Sequence, residues 1–192
     1  MLAGPPGRAH DPAGAFTVPH SLMVAALVDR DRHPVSESLD ALWSAEALWP
    51  ADGRLVIGAA LLRRGYPLNT THPGRLAQVE KDLLALRPRL AAHPWRALEA
   101  GRGSVALALI PADELTTRRA VIPSEGRVQI EYDWVIPRKA AQPNAAEQWI
   151  TAQSSSSFIL QPSSLTLASL PAAARARYAE IWARVQLTAP WI

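Results

Sequence analysis

The sequence predicts an α/β fold, and three observations carry that expectation. Two runs, the largely apolar 16–28 and the continuous 105–110, suit buried strands, the second of the kind found in a parallel or mixed sheet covered on both sides. A third segment, 127–136, alternates in the strand sense. Between them, Leu76, Val79, Leu83 and Leu86 recur at steps of three and four, which is helical spacing.

The composition fits a globular chain. Its 192 residues suffice for one domain or two small lobes, and 48% hydrophobic content argues against disorder. No apolar run approaches the ~18 residues of a membrane span. The first fifteen residues contain Pro5, Pro6 and Pro12 with Gly4, Gly7 and Gly14, so they read as an irregular arm. They lack the continuous apolar segment of a signal peptide, which predicts a cytoplasmic chain if Met1 is the authentic start. The net charge of +3 is spread along the chain, not clustered as a nucleic-acid partner requires. Without cysteine there is no disulfide, thiolate chemistry or Cys-based zinc site.

Each element has a local reason. The run 16–28 opens the fold as a buried strand. Ser36–Trp43 predicts a capped turn with Leu39, Leu42 and Trp43 on one face. Asp52 can cap a helix beginning at Gly53 or Arg54 by accepting from its exposed amides, and Gly65 can stop it. Pro73, near a first helical position, starts the next helix, and Pro88 ends it. Pro94–Ala100 predicts a short helix presenting Trp95 and Leu98, stopped by Gly101 and Gly103. After the 105–110 strand, a brief helix is expected over Asp113–Arg119. In the 127–136 strand, Val128, Ile130, Tyr132, Trp134 and Ile136 share one face, and Gln129, Glu131, Asp133 and Val135 the other. Asn144 with Glu147 resembles a capping box for a helix over 145–153, and Ser154–Ser157 reads as a link. Pro171 opens a last helix whose stripe is Tyr178, Ile181, Trp182 and Val185.

No catalytic constellation stands out. The five histidines show no pair at helical metal-ligand spacing, and neither a phosphate-binding glycine loop nor a Gly-X-Ser-X-Gly elbow is present. What recurs is carboxylates near aromatics, the chemistry that holds small cations by charge and by cation–π attraction. Asp52, Asp113, Glu131, Tyr132, Asp133 and Trp134 have that character. Structural readings stand beside it: Asp52 as a helix cap, Asp113 with Glu114 as first-turn acids, Tyr132 and Trp134 as core. Asp133, between two aromatics, needs either a ligand or an arginine partner.

The segment 51–73 carries a more specific signal. Gly65, Tyr66, Asn69, Thr70, Thr71 and Pro73 match a Leu-Gly-Tyr helix end running into an Asn-Thr-Thr-Asp-Pro turn, with His72 in place of the aspartate. The pattern resembles the periplasmic solute-binding proteins of ABC importers, most closely the spermidine/putrescine-binding branch. Ser36–Trp43 resembles that family's Ser-Trp-Ala-Asp-Leu-Trp segment, and Thr17-Val18-Pro19-His20 its Val-Pro-Tyr crossing strand. Glu99–Val105 is similar to its Glu-Gly-Glu-Val motif, and Asp133–Pro137 to its Asp-Ser-Leu-Ala-Ile-Pro motif.

The resemblance implies a periplasmic, non-catalytic protein with no cofactor. Its partners would be a small polyamine-like solute and the membrane subunits of an ABC transporter. Asp52 and Asp133 match ligand-gripping aspartates of the branch, and Glu131, Asp113 and His20 complete the candidate binding set. The family's aromatic box is largely replaced: His20 stands for a tyrosine, Leu22 lies near a cleft tryptophan, and Pro111 and Glu131 occupy tryptophan positions. The resemblance also implies an N-terminally truncated arrangement. It has an arm at 1–15, a lobe-2-like domain with its crossing strand at 16–132, and a return strand with helices of an incomplete lobe 1 at 133–192. The apolar faces bearing Trp149, Tyr178 and Trp182 would then repack on lobe 2, form a homodimer, or dock on a separate lobe 1. Two other readings follow: an interaction module built on those helices, and an anion or ferric-ion-type binder using the helix start at Gly53 and Arg54.

Overall fold

The computed structural model of the chain describes residues 17–29, 37–111, 115, 120–126, 128–135, 141–145, 148, 165–166 and 170–192, with backbone alone for 17–25, 29, 129–135 and 165–166. The elements run β1 (Thr17–Asp29), a 3₁₀ turn (Leu39–Trp43), β2 (Leu48–Pro50), α1 (Gly53–Arg63), α2 (Pro73–Leu86), β3 (Arg89–Ala91), α3 (Pro94–Glu99), β4 (Val105–Pro111), β5 (Val128–Val135), β6 (Leu165–Thr166) and α4 (Ala172–Thr188). The strands form one mixed sheet in the order β3-β2-β4-β1-β5-β6. β1 is antiparallel to both neighbours, while the pairs β2–β3, β2–β4 and β5–β6 are parallel. β1 therefore runs against every other strand.

Two apolar layers cover the sheet, and strand alternation assigns residues to them. Along β4, Val105 and Leu107 enter the larger core, and Ala106, Ala108 and Ile110 enter the smaller one. β1 does the same, with Leu27 on the first side and Ala26 and Val28 on the second. The continuous apolar runs thus reflect burial on both faces. α3 contributes Leu98 to the smaller core, and α1, α2 and α4 build the larger one.

α1 is the centre of that larger core. Leu55 to Leu62 are all buried, because the helix is enclosed by the sheet, α2 and α4 and has no solvent face to keep polar. Its start is fixed by Asp52, whose Oδ1 accepts from the amides of Arg54 (2.8 Å) and Leu55 (3.0 Å). Gly65 at φ 67° takes the left-handed turn that ends it, and the amides of Gly65 and Tyr66 return to the carbonyls of Leu62 and Leu61. α2 begins as expected at Pro73, capped by His72, whose Nδ1 accepts from the Arg75 amide at 3.4 Å. His72 thus substitutes, at long range, for the aspartate of the Asn-Thr-Thr-Asp-Pro pattern.

Several expectations take a more definite form. The capped turn expected within 36–43 is a 3₁₀ turn capped by Ser38, and Glu125 supports it from a distant loop by accepting from Ser38 Oγ (2.6 Å) and the Leu39 amide (2.9 Å). β2, β3 and β6 span three, three and two residues, too few to show any period in sequence. Of the three outcomes expected for the apolar face of the last helix, the described residues show packing within the chain: Tyr178, Ile181 and Val185 are buried against α1 and α2, and Trp182 packs on the same core. Trp149, the 145–153 helix beyond residues 145 and 148, the serine link and the Asp113–Arg119 helix fall largely or wholly outside the described residues.

Two ion-pair groups tie the helices together. Glu80 on α2, only 7% exposed, accepts from Arg177 (2.6 Å) and Arg184 (2.8 Å) on α4. Glu180 pairs with the same two arginines along α4. Arg64 and Asp82 join the end of α1 to α2 through two bonds of 2.7 Å.

Candidate functional site

Three strands, β2, β3 and β4, run parallel; β2 and β3 end level at Pro50 and Ala91, beside Ala108 of β4, which continues past them to Pro111. In open α/β sheets the edge beyond the carboxyl ends of the strands is where ligands bind, because the chain must leave each strand there and the loops diverge around a crevice. A cleft of about 410 Å³ occupies this edge. It is lined by Pro50 and by Ala108 to Pro111 of the strands, by Asp52 at the start of α1, and by His93, Trp95 and Arg96 at the start of α3. Asp52 leads into α1 on the larger-core face of the sheet. Trp95 and Arg96 belong to α3, which lies on the smaller-core face. The two walls of the cleft therefore come from opposite faces of the sheet.

Asp52 is held with little freedom. Its cap bonds commit one carboxylate oxygen, and the residue donating one of them, Arg54, is fixed in turn by its own side chain. Arg54 Nη2 donates to Asn69 Oδ1 at 2.8 Å, and the guanidinium lies 4.9 Å from the ring centroid of Tyr178. Tyr178 donates its hydroxyl toward the carbonyls of Thr70 (3.1 Å) and Leu68 (3.4 Å). Burial holds the Arg54 guanidinium below its ordinary pKa, against the opposing pull of Tyr178 and Asp52, and burial raises that of the Tyr178 hydroxyl. The Asn-Thr-Thr turn is therefore a brace beneath the cleft wall.

Beside the cleft, β1 and β5 form a ribbon that outruns the rest of the sheet. β4 ends at Pro111 opposite Met23, whereas β5 continues through Glu131 to Val135, paired with β1 back to Thr17. At ~3.3 Å per residue the ribbon projects roughly 16 Å beyond the cleft floor. Pro19, with no amide hydrogen, interrupts the ladder, and the register shifts between Pro19 and Ser21, so His20 is the extra residue of a bulge. Asp133 is opposite Pro19 and Glu131 opposite Leu22.

The backbone thus places His20 beside Asp133 on this ribbon, with Glu131 nearer the sheet, one strand away from the cleft-lining β4. Asp52 is in the cleft itself, and Asp113 is outside the described residues. His93, Trp95 and Arg96 were missed as site residues. The signal available was their position on a short helix directly after a strand, but β3 is too short to be recognised. Among the described residues there is no cluster of His, Asp and Glu fit to hold a metal ion, and no helix long and apolar enough to cross a membrane.

No sequence-family profile matches the chain, and no curated protein matches it in sequence. Solved structures do match. A spermidine/putrescine ABC transporter protein of Listeria monocytogenes is similar at a TM-score of 0.70 and 17% identity, over 94% of this chain and 71% of that one. The spermidine/putrescine substrate-binding protein PotD of Streptococcus pneumoniae is similar at 0.65 and 14% identity, over 94% of this chain and 72% of that one. The Tp0655 (TpPotD) lipoprotein of Treponema pallidum is similar at 0.64 and 18% identity, over 92% of this chain and 70% of that one. At these identities the likeness is one of architecture, and it extends over nearly the whole chain. The fold of this chain, a mixed sheet flanked by helices, is that of the spermidine/putrescine-type substrate-binding proteins.

Proposed function

We propose that the chain is the solute-binding component, or a truncated relative of one, of a polyamine-type ABC importer. It holds a small ammonium-bearing solute at the carboxyl edge of the sheet and catalyses no reaction. The observation that carries this reading is the cleft beyond β2, β3 and β4, with Asp52 fixed in its wall and the β1/β5 ribbon standing beside it. Asp52 and Trp95 supply a charge and an aromatic face, while Asp133, Glu131 and His20 on the ribbon, together with Asp113, complete the candidate contacts. The arm at 1–15, the lobe at 16–132 and the return segment at 133–192 belong to the same proposal, as do a periplasmic location and docking to transporter membrane subunits.

The anion or ferric-ion reading is less well supported, because Asp52 already accepts from two of the first amides of α1, where an anion would have to sit. The docking-module reading loses one of the helices it relied on, since the apolar face of α4 is buried within this chain. Calorimetric titration with putrescine, spermidine, lysine and γ-aminobutyrate tests the proposal. Saturable binding of one of them with a Kd of about 1 mM or tighter is expected. Asp52→Asn, which keeps the cap acceptor and removes the charge, should weaken it about tenfold. Absence of binding across the whole panel would reject the reading.

A further inference from the structure

The two walls of the cleft carry opposite charge. Asp52 approaches from the α1 side, and Arg96, with His93 beside it in sequence and in the lining, approaches from the α3 side. Arg96 is exposed, with its guanidinium as a planar fork of donors that matches a carboxylate. A diamine spanning this space would place one ammonium near Asp52 and the other toward Arg96, cation against cation. A molecule with an ammonium at one end and a carboxylate at the other would satisfy both walls, its methylenes lying along Trp95, Pro50 and Pro111.

We propose that the solute of this cleft is an aminocarboxylate, not a plain di- or polyamine. This rests on the solute-binding reading above and narrows it. Asp52 takes the ammonium and Arg96 takes the carboxylate. The opposed charges fix the direction in which the ligand lies, because reversal would bring like charges together at both ends.

Putrescine and γ-aminobutyrate share a four-carbon length and an ammonium and differ in the other terminus, so they form the critical pair. Calorimetry on the full chain should find γ-aminobutyrate bound at least about tenfold more tightly than putrescine. Arg96→Gln, at an exposed position, should erase that preference by weakening γ-aminobutyrate about tenfold, with an unchanged urea midpoint showing that the variant is folded. If putrescine binds as tightly as γ-aminobutyrate, or Arg96→Gln leaves the preference intact, the aminocarboxylate assignment is overturned while solute binding stands. If neither these two nor spermidine nor lysine binds, the solute-binding reading falls and this inference with it.

Discussion

At the scale of single residues, Asp52 has two duties that substitution can separate. Its carboxylate caps α1 and faces the cleft. Asp52→Ala should cost about 1 kcal/mol of stability through loss of the cap, read as a lower urea midpoint. Asp52→Asn should stay near the wild-type midpoint while losing ligand affinity. Equal destabilisation by both would mean that the negative charge, not the cap acceptor, stabilises the helix. Glu125 has a different residue-scale role, since its carboxylate reaches 86 positions back to cap the 3₁₀ turn. Burial acts to raise its pKa, but the bonds from Ser38 and Leu39 prevail and hold it below the ordinary 4.5. The Arg64 bond likewise holds the Asp82 carboxyl below 3.8. Because both folded-state values are depressed, their stabilisation is complete above those unfolded values and is lost as pH falls through the folded ones. Urea midpoints measured downward from pH 5 should therefore drop, and Glu125→Gln should show a shallower drop than wild type; an unchanged slope would remove Glu125 from the explanation.

At the scale of elements, the contact between α1 and α4 is the tightest test of the packing. A methyl group at Gly53 would lie 2.4 Å from Cγ of Trp182, far inside contact distance. Replacing glycine by alanine in an exposed helix usually helps, by roughly 0.5–1 kcal/mol. Here Gly53→Ala should instead destabilise by about 1–3 kcal/mol, because the indole must move out of a filled core. Adding Trp182→Leu should recover part of that loss, and a double-mutant cycle on urea midpoints would show the coupling. Strict additivity would mean that the helix ends do not meet this closely. α1 also illustrates why a helix can be found from its ends without a stripe: Asp52 and Gly65 mark its limits, while burial on every side removes the polar face that a periodicity search needs.

At the scale of the whole molecule, α4 is joined to α1 and α2 by sequence-distant contacts, of which the Glu80 pair with Arg177 and Arg184 is the most enclosed ionic one among the described residues. Since both arginines remain partly exposed, Glu80→Gln should cost only about 1–2 kcal/mol. The matching sign is faster amide hydrogen exchange in α4 with little change in β4; uniform acceleration across both would indicate one cooperative unit held by apolar packing alone. The long strands, the cap at Asp52, the helix start at Pro73, and the stop at Gly65 were legible in sequence because each depends on neighbouring residues and on local backbone chemistry. The turn motif at Asn69–Pro73 was legible as a family resemblance, but its task as a brace for Arg54 required Tyr178, more than a hundred positions away. The amino-acid sequence by itself determined the α/β class, the ends of α1 and α2, and the kinds of side chain available for binding. Only the tertiary structure decided that α1 and α2 cover the apolar face of α4, that three short strands complete the sheet, and that Asp52 and Arg96 line one cleft. Those outcomes depend on which distant surfaces come together, and burial and charge pairing across the sheet leave no periodic trace along the chain.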